Sequence, residues 1–247
     1  MEYQEYIPHE SLKPYIDCYW TIKTGDLDKP EAHRVFPDAC SDIILNIGAD
    51  LETVNQTEYV FRNEKTYMVG TMTTFQQTRM TSNTFLEGIR FKPFGIFSLL
   101  GFNLQGTSGQ IIELSKNDFK LSHTHFIRGR PDEILNAFFI DRLNSKTQSL
   151  AAITNTIYGY GGNISVQKLS SLHFITERTI ERLFQSKAGS AVKEICNQIR
   201  FQRALKLIRA KKRNSLLDIA FETGYYDHSH LLKEVKKYSG FSPSLLS

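Results

Sequence analysis

Cysteine is scarce in this chain, with three residues, Cys18, Cys40 and Cys196, far apart and odd in number. No C-x-x-C pair is present, so neither a disulfide framework nor a thiolate zinc site is expected. Three small buried thiols in a reducing cytoplasm are expected instead. Long apolar runs are missing too: nothing approaches the ~18–20 residues of a membrane span, and the opening MEYQEYIPHE lacks the basic-then-apolar layout of a secretion signal. No membrane association is therefore expected. The G-x-S-x-G elbow, the P-loop and the dinucleotide fingerprint are also absent, which removes the common sequence marks of hydrolases and nucleotide enzymes. What is present is ordinary for a folded protein: 247 residues, 40% hydrophobic and 23% charged, enough for one large domain or two smaller ones.

The net charge of +4 hides an uneven distribution. Residues 163–247 hold fifteen Lys and Arg against seven Asp and Glu, a balance of +8, which leaves −4 on the first 162 residues. A basic third on a mildly acidic body suggests a polyanion-binding module joined to something else, although a basic helical face can also be merely solvated.

The first 125 residues alternate in the manner of strands. Tyr19–Ile22, Asp42–Asn46, Thr66–Val69 and Phe85–Phe91 are β-branched or aromatic runs between turn signals. A short helix is expected over Ile96–Leu100, with Pro93 near its start. Beyond Pro131 the period becomes helical. Asp132 and Glu133 sit in a first turn where the helix dipole favours acids, and a second helix runs through Ile157. The glycine-rich stretch Tyr158–Gly162 is expected to act as a hinge. The fold class is α+β: a β-rich, sandwich- or barrel-like domain over residues 1–146, then an all-helical domain over 147–247.

The helical part repeats itself at an offset of about 50 residues. Leu169-Ser170, Phe174 and Thr176 correspond to Ile219-Ala220, Gly224 and Tyr226. Each half reads helix, tight turn, helix, with Thr176 and Asp227 as capping residues near the start of the second helix. Val192, Ile195, Cys196, Ile199, Ala204, Leu207 and Ile208 recur at helical spacing and predict a connecting helix from about Ala191 to Arg209. Two such units on one rigid connector can enter successive major-groove segments roughly 34 Å apart. A helical bundle in which the repeats only pack is the plainer alternative.

The stretch Ile219-Ala220-x-x-x-Gly224-Tyr225-x-Asp227-x-Ser229-His230-Leu231-x-Lys233-x-Val235-Lys236, continuing to Gly240-x-Ser242-Pro243, resembles the signature of the AraC/XylS family of bacterial transcription regulators. The upstream half, from Leu169 through Arg178, Ile180, Arg182 and Phe184 to Arg200-Phe201, Ala204 and Leu207-Ile208, resembles the first unit and linker helix of that family. The chain departs from the pattern at Phe174, where a glycine is usual, at Gly189–Val192, which lacks a Ser-Pro, and at Leu231 and Val235, which replace phenylalanines. The resemblance implies a double helix-turn-helix domain and a sequence-specific transcription regulator, activator or repressor, with double-stranded DNA as partner. A small-molecule effector, RNA polymerase and a second copy of the chain are further candidate partners, and no cofactor is implied.

On the first recognition helix Arg178, Glu181 and Arg182 share a face opposite Ile180, Leu183 and Phe184. Arginine can bond guanine in a fork, and glutamate can accept from cytosine or simply orient an arginine. On the second, the resemblance places His228, Ser229, His230 and Lys233 toward the groove, with capping or helix support the plainer role for His230. Lys187, Lys236 and Lys237 are candidates for phosphate contacts.

The N-terminal segments His33–Ile44 and Gly88–Pro93 resemble, less specifically, a β-rich region carried by some of these regulators, where it senses a small molecule or dimerises. His123 and His125 could pair on a metal but lack a third ligand, and Asp38 with Asp42 reads as turn chemistry. An enzyme with a β-barrel catalytic domain and a DNA-targeting tail is the rival reading. It calls for a clustered nucleophile or metal set within residues 1–130.

Overall fold

The structure, a computed structural model, describes residues 1–54, 59–115, 131–210 and 215–246. Among the described residues ten strands build the N-terminal part. Six form one antiparallel sheet in the order β1 (Glu2–Tyr6), β2 (Ile16–Lys23), β9 (Phe85–Phe91), β4 (Ser41–Asn46), β7 (Lys65–Val69) and β10 (Ile111–Leu114). The other four pair as β3 (Glu31–Val35), β8 (Gln76–Met80), β5 (Leu51–Thr53) and β6 (Val60–Phe61). The four segments expected as strands all lie in the larger sheet.

Alternation along these strands divides apolar side chains between two layers. Cys18, Trp20, Ile22, Tyr67 and Leu86 from the large sheet meet Leu51, Phe61 and Met80 from the small one. On the opposite face Tyr19, Ile43, Leu45, Ile89 and Phe91 pack under α1 (Gly95–Leu100) and α2 (Pro131–Ile140), with Leu99, Leu135 and Phe139 among the covering residues. Gly88 lies opposite Trp20 in the ladder because a Cβ there would stand 2.0 Å from the indole ring. Trp20 Nε1 crosses to Asp42 at 2.8 Å.

The helical part runs α3 (Gln148–Gly159), α4 (Val166–His173), α5 (Glu177–Leu183), α6 (Val192–Arg209), α7 (Leu216–Glu222) and α8 (His228–Ser239), with a π-helical turn over Phe184–Ala188 extending α5. Four of these helices begin on a side chain that accepts a backbone N–H: Ser165 for α4, Thr176 for α5, Ser215 for α7 and Asp227 for α8. The expected caps Thr176 and Asp227 do this work. Ser215 and Asp218 form a full capping box.

α6 is the connector and serves two cores. Its first half puts Val192, Ile195, Cys196 and Ile199 with Leu169, Ile180 and Phe184; its second half puts Phe201, Ala204, Leu205 and Ile208 with Ile219, Leu231, Val235 and Tyr238. The first core also takes Leu150, Ile153 and Ile157 from α3, and Ala39 and Phe94 from the β-rich part.

The stretch Tyr158–Gly162, expected as a hinge, is a packed turn. Gly162 takes φ +77°, and a Cβ on it would lie 2.2 Å from the carbonyl oxygen of Cys196 on α6. Gly161 and Gly162 serve close approach and a left-handed backbone inside the helical part. All three cysteines are buried and free, and burial raises each thiol, that of Cys196 to about 11. Among the described residues no helix is long and apolar enough to cross a membrane.

Candidate nucleic-acid interface

Two helix-turn-helix units, α4–α5 and α7–α8, share one turn geometry. In the first, Phe174 adopts φ +54° and Ile175 N donates to Ser170 O at 3.2 Å; in the second, Gly224 adopts φ +81° and Tyr225 N donates to Ala220 O at 2.8 Å. Phe174 thus holds the left-handed position that favours glycine, with its side chain 95% exposed.

The inward face of α5 presents Ile180, and Phe184 follows, both fully buried, while Arg178, Glu181 and Arg182 stand exposed on the other side. That is the division helical periodicity predicts. Gln185 is exposed as well, four residues beyond Glu181 and seven beyond Arg178, so it extends the same face. On α8 the buried residues are Leu231, Val235, Tyr238 and Ser239, and His228, Ser229, His230 and Lys233 are exposed. His230 packs edge-on against Tyr225 with ring centres 5.2 Å apart, and its backbone N–H is held by Asp227 at 2.7 Å. The ring therefore supports the turn as well as facing outward. Tyr226, 86% exposed one residue ahead of the cap Asp227, joins this surface. Sequence reasoning treated it only as a repeat position, although a tyrosine beside a cap is a visible signal.

The three lysines expected at phosphates differ in setting. Lys236 is exposed on α8. Lys237 is joined to both carboxylate oxygens of Glu194 at 3.1 Å. Lys187 Nζ lies 4.3 Å from the ring centre of Phe97, on the β-rich part. The segment 211–214, which adds Lys211, Lys212 and Arg213 to the basic stretch, lies outside the described residues, as do His123 and His125.

Elsewhere, titratable groups cluster at Arg90. Its Nε stands 3.2 Å from Asp38 Oδ2 and 3.5 Å from Asp42 Oδ1, and Nη1 is 3.8 Å from Glu5. Burial raises the carboxyl of Asp42, with Arg90 pulling it back, and the flanking acids hold the guanidinium in its charged form. Asp38 also accepts from Cys40 N at 3.0 Å, so the turn chemistry expected for it is present beside an ion pair the sequence did not suggest. The two motifs around Asp38 and Arg90 therefore meet in space.

Comparison with known proteins supports this anatomy. Residues 169–246 match the family described as a helix-turn-helix domain, and residues 4–113 match a domain of unknown function, DUF6597. A search of curated proteins finds no match. Among solved structures the chain is similar to ToxT from Vibrio cholerae O395, at 14% identity, TM-score 0.51, covering 92% of this chain and 96% of that one. A second crystal form of ToxT from Vibrio cholerae gives 10% identity, TM-score 0.52 and coverage of 99% and 97%. ToxT from strain SCE256 with an unsaturated fatty acid bound gives 13% identity, TM-score 0.50 and coverage of 92% and 94%. At these identities the likeness establishes a shared two-part fold.

Proposed function

From a C-terminal helix-turn-helix domain of AraC/XylS type beneath a β-rich N-terminal domain, we propose that this chain is a sequence-specific, double-stranded-DNA-binding transcription regulator of the cytoplasm. The observation that carries the reading is the pairing of two exposed, polar second helices, α5 and α8, on opposite halves of one continuous connector. Arg178, Glu181, Arg182 and Gln185 would read base edges in one major-groove segment, and His228, Ser229, His230 and Lys233 in the next. Lys236 is the best placed of the three lysines for a phosphate. Lys187 and Lys237 would first have to leave Phe97 and Glu194. Tyr226 adds a hydroxyl at the mouth of the second unit.

In this proposal the N-terminal domain is the control element. ToxT has been solved with a fatty acid bound, and a small-molecule effector of this chain, acting on the β-rich domain, would be the controlling ligand. RNA polymerase and a second copy of the chain complete the proposed partners. The enzyme alternative is less supported, because the carboxylates of Asp38 and Asp42 are both paired with Arg90. Among the described residues no group of three His, Cys, Asp or Glu is placed to hold a metal ion.

Selection of bound duplexes from a random pool by the full chain tests the reading. It should enrich a two-part site with elements about one helical turn, ~10 base pairs, apart. Affinity should fall linearly on logarithmic axes as salt rises, because each neutralised phosphate releases counterions. An unenriched pool with salt-insensitive binding would overturn it.

A further inference from the structure

The β-rich domain grips both helix-turn-helix units at the C-terminal ends of their second helices, and the two grips differ in kind. The first is largely a shared core. Phe94 meets Phe184 with ring centres 4.6 Å apart, and Ala39 is buried in the same cluster. Leu104 N donates to Ser186 O at 2.9 Å.

The second grip has a smaller apolar part, Phe36 packing edge-on against Phe201 with ring centres 6.3 Å apart, and centres on the polar contacts of Arg34 on β3. Its Nη1 donates to the carbonyl of Ser239, the last residue of α8, at 3.1 Å, and its Nη2 donates to Gln77 Oε1 at 2.9 Å. The guanidinium carbon lies 4.3 Å from the ring centre of Phe75 and 4.0 Å from that of Phe241. A helix C-terminus has unpaired carbonyls and partial negative charge, and a guanidinium answers both. The planar fork and two ring faces hold it in one orientation. Thr74 Oγ1 adds a bond to Lys237 O at 2.8 Å. Gly240, at φ +74°, admits this approach: a Cβ there would stand 2.5 Å from the Phe75 ring.

Between the two grips, the same loops seat the connector. Gln198 of α6 is fully buried. Its Oε1 accepts from Ala39 N at 2.9 Å and its Nε2 donates to Met72 O at 2.7 Å. Gln202 Nε2 donates to Pro37 O at 2.6 Å. The two helical cores have no residue in common and are joined chiefly through α6.

We propose that Arg34 is a positioning residue for DNA reading: it fixes α8 to the domain that already holds α5, so that the N-terminal domain sets the separation and twist of the two reading helices and thereby which operator spacing is accepted. This deepens the regulator reading and rests on it for its consequence at DNA, though not for the geometry. A single added base pair moves one half-site by about 3.4 Å and turns it by about 35°, which a fixed pair of helices cannot follow.

The test has two arms on the full-length chain. Spin labels on Ser171→Cys and Glu222→Cys report the distance between the first helices of the two units, and the native thiols are buried. The wild-type background should give one narrow distance distribution. Arg34→Ala should broaden it, and Arg34→Lys, which keeps the charge and loses the fork, should fall between. If Arg34→Ala fails to fold by circular dichroism, Phe241→Leu removes one ring of the same latch and should broaden the distribution in its place. An unchanged distribution in a folded Arg34→Ala or Phe241→Leu chain overturns the proposal.

In the second arm, the wild type should prefer the selected site over its one-base-pair insertion by about tenfold or more. Arg34→Ala should narrow that ratio to about threefold or less, mainly through weaker binding at the selected site. Loss by the same factor at both sites overturns the role in spacing. A wild-type chain that binds no duplex, with the label distances behaving as expected, defeats the regulator reading and leaves the clamp standing.

Discussion

The two helix-turn-helix units have one backbone plan and different residues at nearly every diagnostic position. The first turns on Phe174 and the second on Gly224, yet both take the left-handed conformation and close the same backbone bond. Thr176 caps α5 and Asp227 caps α8. The outward face of α4 shows Gln167 and Ser171, and the matching face of α7 shows Leu217 and Phe221, which is 62% exposed. A cap, a positive φ and one buried face on the second helix therefore suffice for the unit, and the identities around them are free to differ. The units also differ in attachment, since the first shares buried core residues with the N-terminal domain and the second meets it through Phe36 at its core and the latch of Arg34.

The sharpest way to break this contrast is at the shared core. Phe184→Ala removes a fully buried ring that packs on Phe94, and should cost about 3–5 kcal/mol in chemical denaturation. Because the lost contact spans both parts, hydrogen exchange in α1 should rise along with that in α5. Protection of α1 left unchanged would mean the first unit is held no more tightly than the second.

Next in size is an effect confined to the N-terminal domain, which buries the carboxylate of Glu87; the acids of the helical units are exposed or half-buried. Glu87 on β9 is 3% exposed, and its Oε2 has no hydrogen-bond partner. Burial pushes its carboxyl up to about 7, with Lys23 pulling it back. A raised carboxyl means the folded state holds a proton that the unfolded state has released, so the contribution of Glu87 to stability declines as pH climbs from about 4.5 to 7, and the full penalty is reached above. Glu87→Gln should therefore gain up to about 3 kcal/mol at pH 8 and almost nothing at pH 4, read as unfolding midpoints. Equal gains at both pH values would show that the Glu87 carboxyl is not raised in the folded state.

The reading faces give a smaller effect. Arg182→Ala should cost about 1–3 kcal/mol on a selected site and relax preference at one or two positions, and Lys236→Ala should weaken all duplexes alike. A uniform loss with Arg182→Ala would remove it from the base-reading set. Smallest is the turn itself. Phe174→Gly should stabilise the first unit by about 1 kcal/mol by relieving a left-handed phenylalanine, and Gly224→Ala should destabilise the second by a similar amount. Thermal midpoints moving the other way would make the exposed Phe174 ring a structural contact.

Local pattern carried a large share of this protein. Strand alternation, the caps Thr176 and Asp227, the periodic apolar residues of α6 and the outward faces of α5 and α8 all follow from spacing, because each is settled within a turn or two of chain. Tertiary structure decided the rest. The glycines at 161 and 162 look like a hinge in sequence, and only the approach of α6, which leaves no room for a Cβ on Gly162, makes them a packed turn. Asp38 and Arg90 are 52 residues apart and meet because β4 and β9 pair. Lys187 and Lys237 read as free cations until Phe97 and Glu194 are seen beside them. Arg34 stood inside a recognised motif without a role, since its partner is a carbonyl 205 residues away. Periodicity reports which face of an element is buried; it has no means of naming what arrives to cover it, because that contact is selected by the whole fold.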